Sequence, residues 1–511
     1  MPVANVATPR FSVRLYKSIM RKQGEAGLAV SERYANKEAF IDLTPFFGDG
    51  SAITTSKDTR QPAGTFSLTF SDRPNVSGQS LGPVLSSAGL ESVYGLVEPM
   101  DVVEIRMWNG RGKAPYPLPI KMRGFVSEIT RGRQLGSDGK PMRTVVITGQ
   151  DYGKILQTYQ IVYLTNYPGA PALLTGFDFF EQFGGTVRNT ISGAEYLKLV
   201  MEKVINPLLG TLIPEFNGMP REIQVDAQTN AMMSNSYNSQ QGSVYDLLKG
   251  FLDVGIWNEL YVEDREEGVF LVWRPVPAFD LQTGNPTQTS TGKIYQGTIP
   301  DNDITQMRQG RKDESVFNFY WCTNTNFDMM GDDFLQAQAM QGDLHQPTLT
   351  YPNTAKKYYG IRAMYADSVM GPMDVENQNS GLPASEQTAR DGSMNQWITA
   401  RRQVMVSNNK DNVVMEYGNI ELKGGPTRDK STDALKAGDY VLVLDGMLTW
   451  QAYVTGFQDN FIPFRSYTSS ITFERGSGFA WRVSEASGSS PWLRDQATRI
   501  TDIARPFKDL L

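Results

Sequence analysis

Two distant stretches of this chain carry the same succession of short apolar strands, and that repetition limits the fold more than any other feature. The first runs Asp101-Val102-Val103-Glu104-Ile105, then Gly124-Phe125-Val126-Ser127, then Val145-Val146-Ile147-Thr148-Gly149. The second runs Asp439-Tyr440-Val441-Leu442-Val443, then Gln451-Ala452-Tyr453-Val454-Thr455-Gly456-Phe457, then Ser469-Ser470-Ile471-Thr472-Phe473-Glu474-Arg475-Gly476. An Asp opens each first strand, an aromatic–Val pair centres each second, and Ile-Thr marks each third. From Asp to Val the spacing is 25 residues in one copy and 15 in the other, so a common origin means a divergent duplication. Similar triplets also arise independently in any β-rich chain, and the sequence leaves that alternative open.

Further strands follow the same alternation, which places every second side chain on one face. Phe66 to Phe70 is one. Glu259 to Glu263 and Val269 to Trp273 flank a charged reversal at Asp264–Gly268 and read as a hairpin, and Ser315 to Trp321 alternates again. The polar stretch from Arg131 to Met142, with Asp138-Gly139, reads as a hairpin tip because Asp-Gly supplies a positive-φ residue. Helices are fewer. Ser192 with Glu195 has capping-box spacing ahead of an amphipathic run that Pro207 helps to end. Ser243 precedes a second helix burying Val244, Leu247, Leu248 and Phe251, and Gln396 to Ser407 reads as a third. The 47 glycines and 28 prolines suit many short strands joined by turns. The fold class expected is mainly β with helical insertions (α+β), and 511 residues call for two to four domains.

Composition excludes several functions. With 49 basic and 55 acidic residues the net charge is −6, without the cationic excess a general nucleic-acid binder uses against phosphate. No apolar run approaches the roughly 20 residues of a membrane span, and the N-terminus lacks a signal-peptide core. The chain therefore reads as soluble, made in a cytoplasm and not exported by the usual signal. The lone Cys322 cannot form an intrachain disulfide and reads as a small core residue.

Catalytic machinery is equally hard to assemble. The only histidine, His345, lies in a weakly patterned polar stretch without a nucleophile motif, and one Cys with one His makes a poor zinc site. The acidic pairs Glu266-Glu267, Asp301/Asp303 and Asp332-Asp333 sit at turns, where carboxylates are ordinarily solvated. Asp301-Asn302-Asp303 lacks the glycine and closing Glu of a calcium loop, and no phosphate-binding loop occurs. The expectation is a non-enzyme with no catalytic, cofactor or metal residues.

Arg131, Arg133, Lys140 and Arg143 gather around the one hairpin tip. Two readings are open: a solvated loop that protects a sheet edge, or a contact with a negatively charged neighbour.

Several segments together resemble a known family. LVEPMDVVEIRMW, IKMRGFVSEITRGR and RTVVITGQDYGKIL are similar to the first tube-like barrel of baseplate hub proteins of contractile-tailed bacteriophages. LKAGDYVLVLDG, WQAYVTGFQDNF and SYTSSITFERGSGF resemble the closing strands of the second barrel, and LYVEDREEGVFLVWRPVP resembles the hairpin that opens it. The patches cover less than half of the chain. The resemblance implies two tube-like antiparallel β-barrels per chain and a homotrimer forming a pseudo-hexameric ring. Residues 1–9 would be an arm, 10–165 the first barrel and 166–255 a helical or irregular insertion. Residues 256–322 with 401–476 would form the second barrel, interrupted by a polar insertion at 323–400. The implied role is that of a virion hub joining tail tube or tube-initiator proteins to the tail spike. Tape measure and surrounding baseplate proteins would be further partners, and DNA would pass the lumen without specific binding.

The tail, 477–511, reads as a Ser/Gly-rich linker followed by a short helix around Trp492, Leu493 and Arg494, which either packs on its own barrel or clasps a spike or neighbouring subunit. Rival readings are the tip protein of a flexible non-contractile tail, a hub fused to a cell-wall-degrading domain, and a sugar-binding module using Tyr358-Tyr359.

Overall fold

The computed structural model describes residues 8–18, 40–72, 93–111, 114–135, 141–162, 191–215, 218–229, 231–233, 241–277, 296–324, 356–371, 384–429, 433–446 and 448–478. His345, Lys140, Asp332-Asp333, Trp492, Leu493 and Arg494 lie outside them.

The amino-terminal part supplies seven strands: β1 (Arg10–Tyr16), β2 (Ile41–Asp42), β3 (Ala52–Asp58), β4 (Thr65–Ser71), β5 (Val102–Trp108), β6 (Ile120–Leu135) and β7 (Pro141–Asp151). Strand β4 shows why alternation was a good guide, since Phe66, Leu68 and Phe70 are buried while the residues between them are not. All seven residues of β5 are buried. Val103, Ile105 and Met107 enter the core of this first sheet, whereas Val102 packs into the neighbouring helical unit. Burial on both faces removes the polar half of the pattern, which is why this strand's alternation looks blurred in sequence.

The middle of the chain forms helices and small sheets. Its elements are α1 (Gly153–Thr158), β8 (Gln160–Val162), β9 (Ile191–Ser192), α2 (Gly193–Val200), α3 (Asn206–Leu212), β10 (Ile223–Ala227), β11 (Met232–Met233), β12 (Gln241–Ser243) and α4 (Val244–Phe251), then β13 (Asn258–Arg265) and β14 (Gly268–Pro275). Ser192 caps α2 by accepting from Glu195 N–H at 3.2 Å, and Ser243 with Asp246 forms a full capping box on α4. Pro207 does not end the first helix. A π-helical turn at Met201–Ile205 changes the hydrogen-bond register, and Pro207 falls in the first turn of α3, where its missing N–H costs nothing.

The β13–β14 hairpin differs from its expected place as the opening of a second barrel. It forms a separate three-stranded sheet with β10, which runs parallel to β14, and Leu260, Val262, Val269, Leu271 and Trp273 fill the helical unit's core. Each strand carries a full apolar row, and the helices α2 and α4 offer the larger apolar surface to bury it against.

The carboxy-terminal part adds β15 (Gly297–Ile299), β16 (Ile304–Gly310), β17 (Phe319–Asn324), α5 (Lys356–Tyr359), β18 (Ala363–Ser368), β19 (Met370–Gly371), α6 (Ala384–Asn409), β20 (Glu416–Lys423), β21 (Tyr440–Asp445), β22 (Leu448–Ile462) and β23 (Ser466–Gly476). The strand expected over 315–321 begins only at Phe319, because Asn318 turns the chain: it accepts from Arg362 N–H at 2.8 Å and donates to Gly360 C=O at 2.6 Å. Helix α6 starts well before the expected Gln396. Its apolar signal comes from Ile398, Met405 and Val406, which pack with Trp257, Tyr320 and Cys322.

Among the described residues one thirteen-stranded sheet joins the two ends of the chain, so the protein is mainly β with a large antiparallel sheet. Its order is β16-β20-β23-β22-β3-β4-β7-β6-β5-β1-β2, with β21 on β22 and β15 on β21. The two halves repeat. The path β3-β4-β7-β6-β5 corresponds strand for strand to β16-β20-β23-β22-β21. Both long strands slip register at the same point, between Val126 and Glu128 and between Val454 and Gly456. Met100 N–H donates to Val126 C=O at 2.8 Å and Val126 N–H to Asp101 C=O at 2.8 Å. Gly438, Val454 and Asp439 make the same pair at 2.7 and 2.9 Å. An identical bulge and bracket in both halves is the structural form of the duplicated triplet, since coincidence of strand order alone would not reproduce bulges.

Candidate assembly surface

Where the two sheet halves meet the β13–β14 hairpin, the interior is charged. Glu104 on β5 takes Arg106 Nε at 2.8 Å and Arg123 Nε at 3.1 Å. Arg106 reaches on to Glu266 at the hairpin turn at 2.9 Å, and Glu266 also accepts from Ile120 N–H at 3.1 Å. On the other side, Glu263 meets Arg265 at 2.8 Å, Arg428 at 3.3 Å and Lys436 at 3.5 Å. Arg274 donates to Gly438 C=O at 2.7 Å and Tyr453 Oη to Glu259 at 2.5 Å. The hairpin is thus a wedge held by ion pairs to both halves.

The opening Asp of each triplet does the same work twice. Asp101 accepts from Glu98 N–H at 2.8 Å and is paired with Lys17 at 2.7 Å. Asp439 accepts from Lys436 N–H at 3.1 Å and takes Arg428 in a two-point contact at 2.8 and 3.0 Å.

Burial sets the protonation. Burial dominates at Asp101, pushing its carboxyl up to about 6 against the pull of Lys17. Asp264 is likewise pushed up to about 6, by burial first and by Asp151 nearby, with Lys57 opposing. Burial would raise Glu263 too, but Lys436, Arg265 and Arg428 outweigh it and bring the group down to about 2. Lys57, Lys121, Glu263, Asp264, Lys436 and Asp459 line a cavity of 40 Å³ in this seam.

The basic tip lies at the far end of the β6–β7 hairpin. Arg131 is turned back onto the buried Asp72 at 2.6 Å. Arg133 stands directly across the ladder from Arg143, two like charges opposed. From Glu128 outward β6 pairs with β7 alone among the described residues, and Leu135 at its end is 76% exposed. The outer half of β6 is therefore an edge in an otherwise continuous sheet. Among the described residues the sheet's path itself ends at β16 and β2, and its branch ends at β15.

No sequence-named residue assembles into a catalytic group among the described residues. Cys322 is buried and its thiol is pushed up to about 12 by burial. Asp303 is occupied by Arg111, and Glu266 by Arg106. Among the described residues no cluster of three or more His, Cys, Asp or Glu could hold a metal, and no helix is long and apolar enough to cross a membrane. Tyr358 is half exposed, and Arg362 lies over the Tyr359 ring. What the sequence reading missed is the charged seam. Its signal was present as Glu104 and Arg106 inside an apolar strand and Glu263 after Tyr261-Val262, charges that need partners if both faces are covered.

No protein-family model matches the chain, and no curated protein matches it. Solved structures do. A tail protein from Neisseria meningitidis aligns over 92% of this chain and 98% of its own length, at 10% identity and a TM-score of 0.44. A prophage tail protein from Shewanella oneidensis aligns over 91% and 98%, at 10% identity and 0.42. A type VI secretion component from E. coli, described as similar to the T4 tail proteins gp27 and gp5, aligns over 83% and 73%, at 8% identity and 0.34. Two of these three solved structures are thus described as tail proteins and the third as a component of type VI secretion.

Proposed function

We propose that the chain is a structural tail component, the central baseplate hub, which joins the tail tube to the spike as a homotrimer around a channel for genome delivery. The observation that carries this reading is the internal repeat, two sheets of one strand order joined edge to edge through β3 and β22. Three copies of a doubled unit present six similar faces, so a three-fold spike and a six-fold tube can share one ring. Each half then acts as a tube-like barrel unit. The partners are tube or tube-initiator proteins, the spike, and the tape measure and surrounding baseplate proteins.

At −6 per chain, hence −18 per trimer, such a ring lacks the cationic excess that would hold DNA in its lumen. The protein is proposed to have no enzymatic activity, and zymography on host cell wall with purified protein tests that point. Residues 477–511 are proposed to clasp the spike, so a chain lacking 485–511 would assemble but release it.

Light scattering coupled to size exclusion, with imaging of the same particles, tests the central claim. Three chains around an open hole are expected. A species that stays single-chain with and without tail partners, or a solid particle, overturns it.

A further inference from the structure

We infer that the outer half of β6, from Glu128 to Leu135, is a docking edge for an acidic, extended segment of a partner protein, which adds to the sheet there as a further antiparallel strand. The inference goes beyond the hub reading and does not depend on it.

The hydrogen bonds show which backbone groups are on offer. Asp72 N–H donates to Arg143 C=O at 2.8 Å, so Arg143 turns its main-chain groups toward β4 and away from β6. Arg143 faces Arg133 across the β6–β7 ladder, and in an antiparallel pair a residue turned outward on one strand is matched by one turned outward on the other. Arg133 therefore points its N–H and C=O to the open side, and by the same alternation so do Arg131 and Ile129. Pro141, which has no N–H to give, stands opposite Leu135 and fits the pattern. These outward groups meet no partner strand among the described residues.

The fold fills the equivalent position elsewhere. On β22, Phe457, Asp459 and Phe461 occupy the places of Ile129, Arg131 and Arg133, counted from the shared bulge. On the side away from β23 they pair antiparallel with Lys57, Thr55 and Ile53 of β3. A long-strand tip that takes a strand in one repeat thus stands open in the other.

The side chains say what kind of strand fits. Arg131 and Arg133 stand on the face that Ile129 turns to the core. Arg131 is matched by Asp72 and lies over the Tyr94 ring. Arg133 is exposed, has no acidic partner among the described residues and is opposed by Arg143, a like-charge pairing that a neighbouring carboxylate relieves. Leu135 lies beyond it, open to an apolar neighbour. The matching strand therefore carries acids opposite Arg131 and Arg133 and apolar residues opposite Ile129 and Leu135. The same arginines repel a second copy of this tip, which leaves a different, acidic polypeptide as the occupant.

The test uses the full chain and two labelled, end-capped peptides, TVTETETVT and the same sequence with both acids replaced by lysine. Fluorescence anisotropy is expected to show the acidic peptide binding and the lysine peptide not. Methylating the main-chain nitrogens of the two acidic residues, which face β6, is expected to abolish binding. Methylating those of the threonines on either side of the first acid, which face away, is expected to leave it. Arg133→Glu is expected to weaken the acidic peptide about threefold to thirtyfold and to admit the lysine peptide. Binding of neither peptide, or binding indifferent to where the methyl groups sit, overturns the docking edge. Light scattering of the saturated sample separates the other occupant: particles that come apart as the peptide binds place a second copy on this edge and overturn the partner assignment, leaving the hub reading standing. Unchanged particles support it. Single chains that bind the peptide with this selectivity support the edge and overturn the hub reading alone.

Discussion

The Lys121 ammonium on β6 lies 3.0 Å from the Asp459 carboxylate on β22, with both side chains under 5% exposed. The ammonium also sits 5.1 Å from the Phe457 ring centre. This ion pair ties the long strand of one repeat to the long strand of the other, directly beside the β22–β3 junction.

Breaking it from one side leaves a buried charge without its counterion. Asp459→Ala is expected to cost about 3–5 kcal/mol of unfolding free energy, while Lys121→Met with Asp459→Leu recovers most of it. Urea midpoints of the two single variants and the double variant check this; additive losses would show that the pair is not coupled.

Acid should help part of the seam. Asp264 and Asp101, both raised to about 6, bind a proton in the folded state at a pH where the unfolded carboxyl, near 4, does not. Their contribution to stability therefore rises as pH falls from about 7 toward 4. Asp264→Asn mimics the protonated form. It should raise stability at pH 7.5 by about 1–3 kcal/mol, with the gain shrinking to nothing near pH 4. Thermal melts across that range decide it, and an unchanged difference at both ends would contradict the assignment.

Gly438 holds φ +96°, and a Cβ there would stand 2.5 Å from the Tyr261 hydroxyl. Gly438→Ala adds left-handed strain of about 1–2 kcal/mol to that clash and pushes the wedge off the second repeat. A drop in the urea midpoint with weakened packing of Tyr261, read by its near-ultraviolet signal, is the expected result.

Cys322, enclosed by Tyr320, Ala366 and Met405, should resist alkylation at pH 8 in the folded protein and react fully in denaturant. Rapid labelling under native conditions would contradict its placement.

Much of this architecture was legible in the residues. The triplets at Asp101 and Asp439 marked strands that pair in the same order, because a half-buried strand writes its inward face into every second position. The hairpin at 258–275 was visible too, but its neighbours were not. Both of its faces are covered, and that helices α2 and α4 cover one of them is a matter of packing that strand periodicity does not show. The charged seam was only half visible: Glu104 and Glu263 stand out as charges inside apolar strands, but their partners, Arg123, Arg428 and Lys436 among them, are brought to them only by the fold. Of the basic tip, Arg131 and Arg143 occupy the expected hairpin. Nothing in composition could say that Arg131 is matched internally by Asp72.

The seating of β3 against β22 has a consequence for biogenesis. During synthesis β3 leaves the ribosome long before its partner β22 is made. The amino-terminal sheet must therefore wait with an unsealed border until β22 has been made, a slow long-range closure. A nascent chain cannot complete its own junction before both repeats have left the ribosome.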